Sequence, residues 1–206
     1  MAHMKETLIS VATDLFYEKG YFATSISRIA QGCGIQKASI YHHFAGKEEL
    51  LFGIMETTMA ELLKELDKNL KAAVGVEQRM RAAVRSHVAF HLRRQKETFI
   101  ASSELRGLSE SNLARIVALR DQYEAVFQNL IAAGMEGGLF EPGDIKILSY
   151  AILTLCTAGA TWYKPNGRLS IAAIVEIYEN FILNGLRKGQ LTGNRPAALA
   201  CDPWPI

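Results

Sequence analysis

No aspartate or glutamate lies between Glu18 and Glu48, although that stretch carries Lys19, Arg28, Lys37 and Lys47. Over the whole chain the charges nearly balance, with 23 lysines and arginines against 21 aspartates and glutamates. A net charge of +2 argues against an architectural protein that coats DNA whatever its sequence, because such binding needs a broadly basic surface. It leaves open a localised contact with a polyanion, and the acid-free window is where one fits. A DNA-processing enzyme would need clustered acids to hold metal, and the window has none.

Other absences narrow the class. Proline is missing before Pro142, and apolar residues recur at helical rather than alternating spacing, so the chain is expected to be all-α. Cys33, Cys156 and Cys201 are odd in number and scattered without metal-ligand spacing, which predicts reduced thiols in a cytoplasmic protein. There is no Glu-x-x-His pair for a di-metal bundle, no phosphate-binding glycine loop and no strand-borne nucleophile motif, so an enzyme on a helical bundle is the weaker alternative. No signal peptide is expected, since Lys5 and Glu6 interrupt the start. Met1-Ala2-His3-Met4 has the form of a second start behind a cloning remnant. Ile147 to Tyr163 is uncharged and about long enough for a marginal membrane span. It also holds Ser149, Thr154, Thr157, Gly159 and Thr161, so a helix at a protein–protein contact is the better reading, with no membrane partner.

What is present punctuates into helices. A first helix over Met4–Glu18 places Leu8, Ala12, Leu15 and Phe16 on one face and stops at Gly20. Thr24 or Ser25 caps a short second helix with Ile26, Ile29 and Ala30 inward, and Gly32-Cys33-Gly34 turns the chain. A third helix over Gln36–His43 holds Ile40 and Phe44 inward; Gly46 opens a longer fourth, with Glu48 and Glu49 in its first turn. Further helices are expected over Val76–Gln95, Glu97–Leu105, Ser109 or Ser111 to Met135, Asp144 to Pro165, and Ser170 to Arg187, with a mobile tail from Gln190.

The second and third helices form a helix-turn-helix unit on the first. Such a unit lays its second helix in the major groove with its N-terminal residues at base edges. With Ile40 and Phe44 turned to the core, Gln36, Lys37 and Ser39 point outward. Gln36 suits a paired hydrogen bond to adenine, and Lys37 a guanine edge or a phosphate. Ala38 and Ser39 are small enough to let the backbone approach. Tyr41, His42 and His43 have the donors that grip phosphate without choosing sequence, and Thr24 and Lys47 sit at helix starts that favour phosphate.

Glu6 to Met55 resembles the DNA-binding domain of the TetR family of bacterial transcriptional repressors. The likeness rests on Ala12-Thr13-Asp14-Leu15-Phe16, Lys19-Gly20-Tyr21, Ala23-Thr24, Ile29-Ala30, Gly34-Ile35, Ser39-Ile40-Tyr41-His42-His43-Phe44 and Lys47-Glu48-Glu49-Leu50. It implies DNA contacts at Thr24, Arg28, Gln36, Lys37, Ala38, Ser39, Tyr41, His42 and Lys47. Gln36 stands where the family usually has a capping serine or threonine, and Gly46 where it often has serine.

The resemblance also implies a C-terminal helical domain that dimerises and binds a small molecule. The expected division is 4–64 for DNA binding, 65–189 for ligand binding and dimerisation, and 190–206 for the tail. The apolar helix at Ile147–Tyr163 and the last helix, with Ile171, Ile174, Val175, Ile177, Tyr178, Phe181 and Ile182, are suited to a four-helix interface between two copies. Candidate effector contacts are Phe90, Phe99, Glu104, Tyr123, Phe127, Tyr150, Trp162 and Tyr163, although an aromatic at helical spacing is more often core. The segment Ala160 to Ser170 resembles a motif of TetR relatives that control fatty-acid, sterol-ring or aromatic-acid breakdown and often answer to acyl-CoA thioesters. Arg79, Arg81, Arg85, Arg93 and Arg94 then offer partners for CoA phosphates, or else a solvated helix face. His87 and His91, four apart, have a zinc-compatible spacing, but only Glu104 stands as a third ligand, so no metal or other cofactor is expected. A metal- or drug-responsive regulator of the same family is the alternative. Ligand is expected to shift the fourth helix and so the spacing of the two reading helices.

Overall fold

A computed structural model describes residues 2–189; Met1 and the tail from Gln190, with its expected mobility, lie outside the described residues. The helices are α1 (Ala2–Lys19), α2 (Ile26–Gly32), α3 (Lys37–Ile40), α4 (Lys47–Lys71), α5 (Val76–Arg93), α6 (Gln95–Ser103), α7 (Glu110–Glu136), α8 (Ile145–Trp162) and α9 (Ile171–Leu186). A 3-10 turn, Leu105–Gly107, follows α6. The protein is all-α, as its spacing of apolar residues requires.

Local chemistry sets most boundaries. Ser25, not Thr24, caps α2, its hydroxyl accepting from the Arg28 amide. Asp144 and Ser170 cap α8 and α9 in the same way. Gly34 turns the chain from α2 into α3 at φ +67°, a backbone region that other residues enter only at a cost. The α-helix expected over Gln36–His43 is confined to Lys37–Ile40. Gln36 makes no side-chain cap, and the amides of Tyr41, His42 and His43 bond three residues back, so the segment tightens into consecutive turns. Helix α5 stops at Arg93, because Arg94 leaves helical geometry before α6 starts at Gln95.

Two hydrophobic cores share α4. Leu50, Leu51, Phe52, Ile54 and Met55 pack with Leu8, Phe16, Ile29, Ile40 and Phe44, joined by Ile100 of α6 and Ile116 of α7. Met59, Leu62 and Leu66, on the later turns, pack with α5, α7, α8 and α9. The reading unit and the C-terminal half are thus fastened to one rod and also to α6 and α7. In α5 every residue from Ser86 to Leu92 is buried, so it is the central helix rather than an amphipathic one at the surface. It is pinned to α9 by Arg85, whose Nε and Nη2 donate to the buried Glu179 carboxylate at 2.7 and 3.2 Å.

Helix α8 is long and apolar enough to cross a membrane, with mean hydropathy 1.3 over Ile145–Trp162. Its inward side is Ser149, Ile152, Cys156 and Gly159. Ile147, Tyr150, Leu155 and Trp162 of α8 are exposed, as are Ile177 and Phe181 of α9.

Candidate nucleic-acid interface and effector cavity

The turn at Gly34 and the inward Ile40 and Phe44 fix which side chains of the reading unit face out. Arg28, Gln36, Lys37, Ala38, Tyr41 and His42 are exposed, and Ser39 is half-buried beside them. Seven of the nine expected DNA contacts are therefore accessible or half-accessible on the reading unit.

Thr24 and Lys47 are placed differently. Thr24 is buried; its hydroxyl is directed to the carbonyls of Gly20 and Leu15, and its amide donates to Tyr21. A hydroxyl engaged inward has no proton for a phosphate, which corrects the expectation for that side chain. The Lys47 ammonium donates to the carbonyls of Tyr21 and Thr24, each at 2.9 Å, and lies 4.2 Å from the centre of the Tyr21 ring. Burial lowers its pKa, against the opposing pull of the Glu104 carboxylate. In this conformation Lys47 locks the loop between α1 and α2 onto the start of α4 instead of reaching outward. The lysine was legible in the sequence; its partners are backbone carbonyls, which carry no sequence signal.

The start of α4 is also tied to the C-terminal half. Glu48 accepts from the Ser109 amide at 2.6 Å and from Asn112 Nδ2 at 2.9 Å, and its pKa is lowered by the Ser109 side chain first, then by these two bonds. Glu49 turns back to accept from the Ala45 amide, just ahead of the Gly46 that opens α4. Gly107 leaves no room for a Cβ, which would lie 2.6 Å from the Tyr21 ring and 2.8 Å from Leu51.

A cavity of about 740 Å³ opens among α4, α5, α6, α7 and α8. Of the expected effector contacts, Phe90, Phe99, Tyr123 and Tyr150 border it. Glu104, Phe127, Trp162 and Tyr163 do not, and the reasons are physical. The Glu104 carboxylate accepts from the Tyr21 amide at 3.2 Å. Phe127 is fully buried in the core, and Trp162 is half-exposed on the outer side of α8. The Tyr163 carbonyl accepts from Gln95 beside that of Ala160, which closes the end of α8. Sequence reasoning missed Tyr17, Thr98, Arg120 and both histidines as cavity residues.

The histidines are stacked at 4.0 Å. His87 is engaged at both ring nitrogens, by the Tyr123 hydroxyl at 3.1 Å and Thr157 Oγ1 at 2.9 Å. Burial lowers the pKa of both rings, with His91 pushed down to about 4. Metal binding by the pair would first break the bonds of His87, and the described residues include no cluster of three or more potential ligands. Burial likewise raises Tyr123 well above its ordinary value, so its phenol stays protonated.

Beside the cavity lies a smaller polar cleft of about 440 Å³ between α4 and α5, bordered by Glu61, Lys64, Glu65, Lys68, Asn69, Phe90, Arg93 and Arg94. Phe90 borders both. Arg93 and Arg94 are here ion-paired with Glu65 and Glu61 at the surface. Arg81 and Arg85 are directed to Glu179, and Arg79 to the Ala73 carbonyl. The five arginines do not form one cluster.

A helix-turn-helix unit on a rod-like fourth helix, with a cavity behind it, has close counterparts. The sequence pattern of the bacterial regulatory proteins of the tetR family matches residues 8–54, and that of the tetracyclin repressor-like C-terminal domain matches residues 73–186, more than half the chain. The chain belongs to the TetR family. Among its TetR relatives, the transcriptional repressor KstR2 of Mycobacterium tuberculosis (strain ATCC 25618 / H37Rv) is 28% identical over 190 residues, covering 88% of this chain and 92% of that one. A tetR-family regulatory protein from Rhodococcus RHA1 has the same fold at a TM-score of 0.85, with 25% identity over 90% of this chain and 98% of that one. AibR, solved with isovaleryl coenzyme A and operator DNA, gives a TM-score of 0.78 at 26% identity, covering 89% and 98%. As a TetR regulator the protein is a DNA-binding transcription factor and not an enzyme.

Proposed function

We propose that the protein represses transcription in the cytoplasm by binding a palindromic operator as a homodimer, and that an acyl-CoA thioester releases it. The reading is carried by Phe90, the residue common to the apolar cavity and the polar cleft. A cavity of about 740 Å³ is of the size that takes a small organic ligand. An acyl chain and pantetheine arm suit that volume, while the phosphates suit the cleft with Lys64, Lys68, Arg93 and Arg94. The ion pairs that Arg93 and Arg94 make are solvent-exposed and cost little to exchange for phosphate.

On DNA, Gln36, Lys37, Ala38 and Ser39 read the groove, and Arg28, Tyr41 and His42 hold phosphate. A second copy covers the exposed apolar faces of α8 and α9, which sets the reading helices roughly 34–36 Å apart or somewhat farther. The test takes operator duplexes selected by the protein from random sequence and follows their release with a panel of acyl-CoAs. Release, together with a raised melting temperature, is the expected outcome. A panel that changes neither operator affinity nor melting temperature rejects the acyl-CoA reading.

A further inference from the structure

The cavity wall carries two polar groups that no described residue satisfies, and each stands out against its neighbours. Hydroxyls on these helices usually donate to the carbonyl four residues back. Thr13 does so to Ile9, Thr58 to Ile54, Ser86 to Ala82 and Ser102 to Thr98, all at 2.7 to 2.9 Å. Thr98, in α6, does not. It is 6% exposed and its Oγ1 has no hydrogen-bond partner. A buried polar atom left so in a folded protein calls for an explanation, and Thr98 borders the cavity.

His91 supplies the second group. Its Nδ1 lies 2.8 Å from the His87 carbonyl, which can only accept, so the ring proton sits on Nδ1 and Nε2 presents a lone pair. The stack on His87 holds the ring in place. Among the described residues no donor reaches Nε2, and the side chain borders the cavity. Burial keeps the imidazole neutral, and so an acceptor, at ordinary cellular pH.

We infer that the effector is oxygenated on its apolar body, carrying a hydroxyl that donates to His91 Nε2 and accepts from Thr98 Oγ1. The inference rests on the reading of this cavity as the effector site. A hydroxyl both donates and accepts, so its chemistry suits both groups. A plain hydrocarbon of the same shape leaves both without a partner. The ligand class is therefore a hydroxyacyl compound or an alicyclic alcohol, not a saturated acyl chain.

The experiment measures affinity for the full chain by titration calorimetry with matched pairs in two series. One compares octanoyl-CoA with its 2-, 3- and 5-hydroxy forms; the other compares octanoate with the same hydroxy acids, and methylcyclohexane with cyclohexanol. At least one hydroxylated probe should bind roughly 10- to 100-fold more tightly than its parent, the preference expected when a buried acceptor would otherwise stay unpaired. The preference should vanish in His91→Phe and shrink in the near-isosteric Thr98→Val. It is overturned if no hydroxylated probe in either series outbinds its parent, or if both variants keep the preference. A silent CoA series beside discriminating CoA-free probes would instead reject the acyl-CoA reading and uphold this one. Equal binding of plain and hydroxylated CoA thioesters, with no discrimination among the CoA-free probes, would do the reverse.

Discussion

The ring of Tyr17 in α1 stands edge-on to the ring of Phe99 in α6, with centroids 5.3 Å apart and planes at 84°. Both side chains border the large cavity, so a residue of α1 forms part of its wall. Lys96 of α6 reinforces the contact through Asp14 of α1 at 2.6 Å. A ligand that moves Phe99 thus acts on α1 directly, as well as through α4.

Tyr17→Ala should therefore reduce the coupling between effector and operator. The measured quantity is the ratio of operator affinities without and with saturating ligand. Coupling of roughly 1–3 kcal/mol is usual for such two-site proteins, and loss of one contact should lower the ratio by about fivefold or more. A ratio equal to that of the natural chain would show that α1 takes no part.

The proposed DNA contacts predict a division between choice and grip. Gln36→Ala should relax preference at one base pair, costing about 1–3 kcal/mol of discrimination there. Tyr41→Ala should weaken all duplexes alike. Binding to a panel of single-base operator variants separates the two, and equal losses of specificity would contradict the division.

Lys47→Met removes the ammonium from the carbonyls of Tyr21 and Thr24 while keeping much of the stem. A charged hydrogen bond is worth roughly 1.5–3 kcal/mol, so the urea midpoint should fall measurably without DNA present. A purely phosphate-binding lysine would instead leave stability alone and flatten the salt dependence of operator binding.

Acid should destabilise the fold through the histidine pair. Burial lowers both His87 and His91 from the ordinary 6.5, His91 to about 4. Below pH 6.5 the unfolded chain takes up protons that the folded chain refuses, so stability is lost as pH falls toward 4. The slope is up to about 1.4 kcal/mol per pH unit for each ring. Urea midpoints at pH 7 and pH 5 should differ, and by less in His91→Phe. An undiminished slope in that variant would exclude His91 as a source.

Phe181→Glu places a charge on α9 beside the exposed Ile177, on the face proposed to pair with a second copy. It should turn a dimer into a monomer in sedimentation and weaken operator binding sharply, since two half-sites no longer bind together. A variant that remains dimeric would place the interface elsewhere.

The sequence by itself determined the helices and the outward face of the reading unit. Gly34, Ile40 and Phe44 lie within eleven residues, and at that range a turn and a helical period decide which side chains face out. The tertiary structure alone decided what Thr24, Lys47 and the aromatics do. Lys47 turns inward to carbonyls of the loop between α1 and α2, and Thr24, in that loop, to the carbonyls of Gly20 and Leu15; every residue has a carbonyl, so no pattern announces the partner. Tyr123 and Phe127 are aromatics four residues apart on one helix, yet one borders the cavity and the other fills the core. A helix turns apolar residues inward whether they meet packed atoms or empty space. Which of the two they meet depends on how five helices fit together, and Tyr17 joins the cavity wall only because α1 lies against α6.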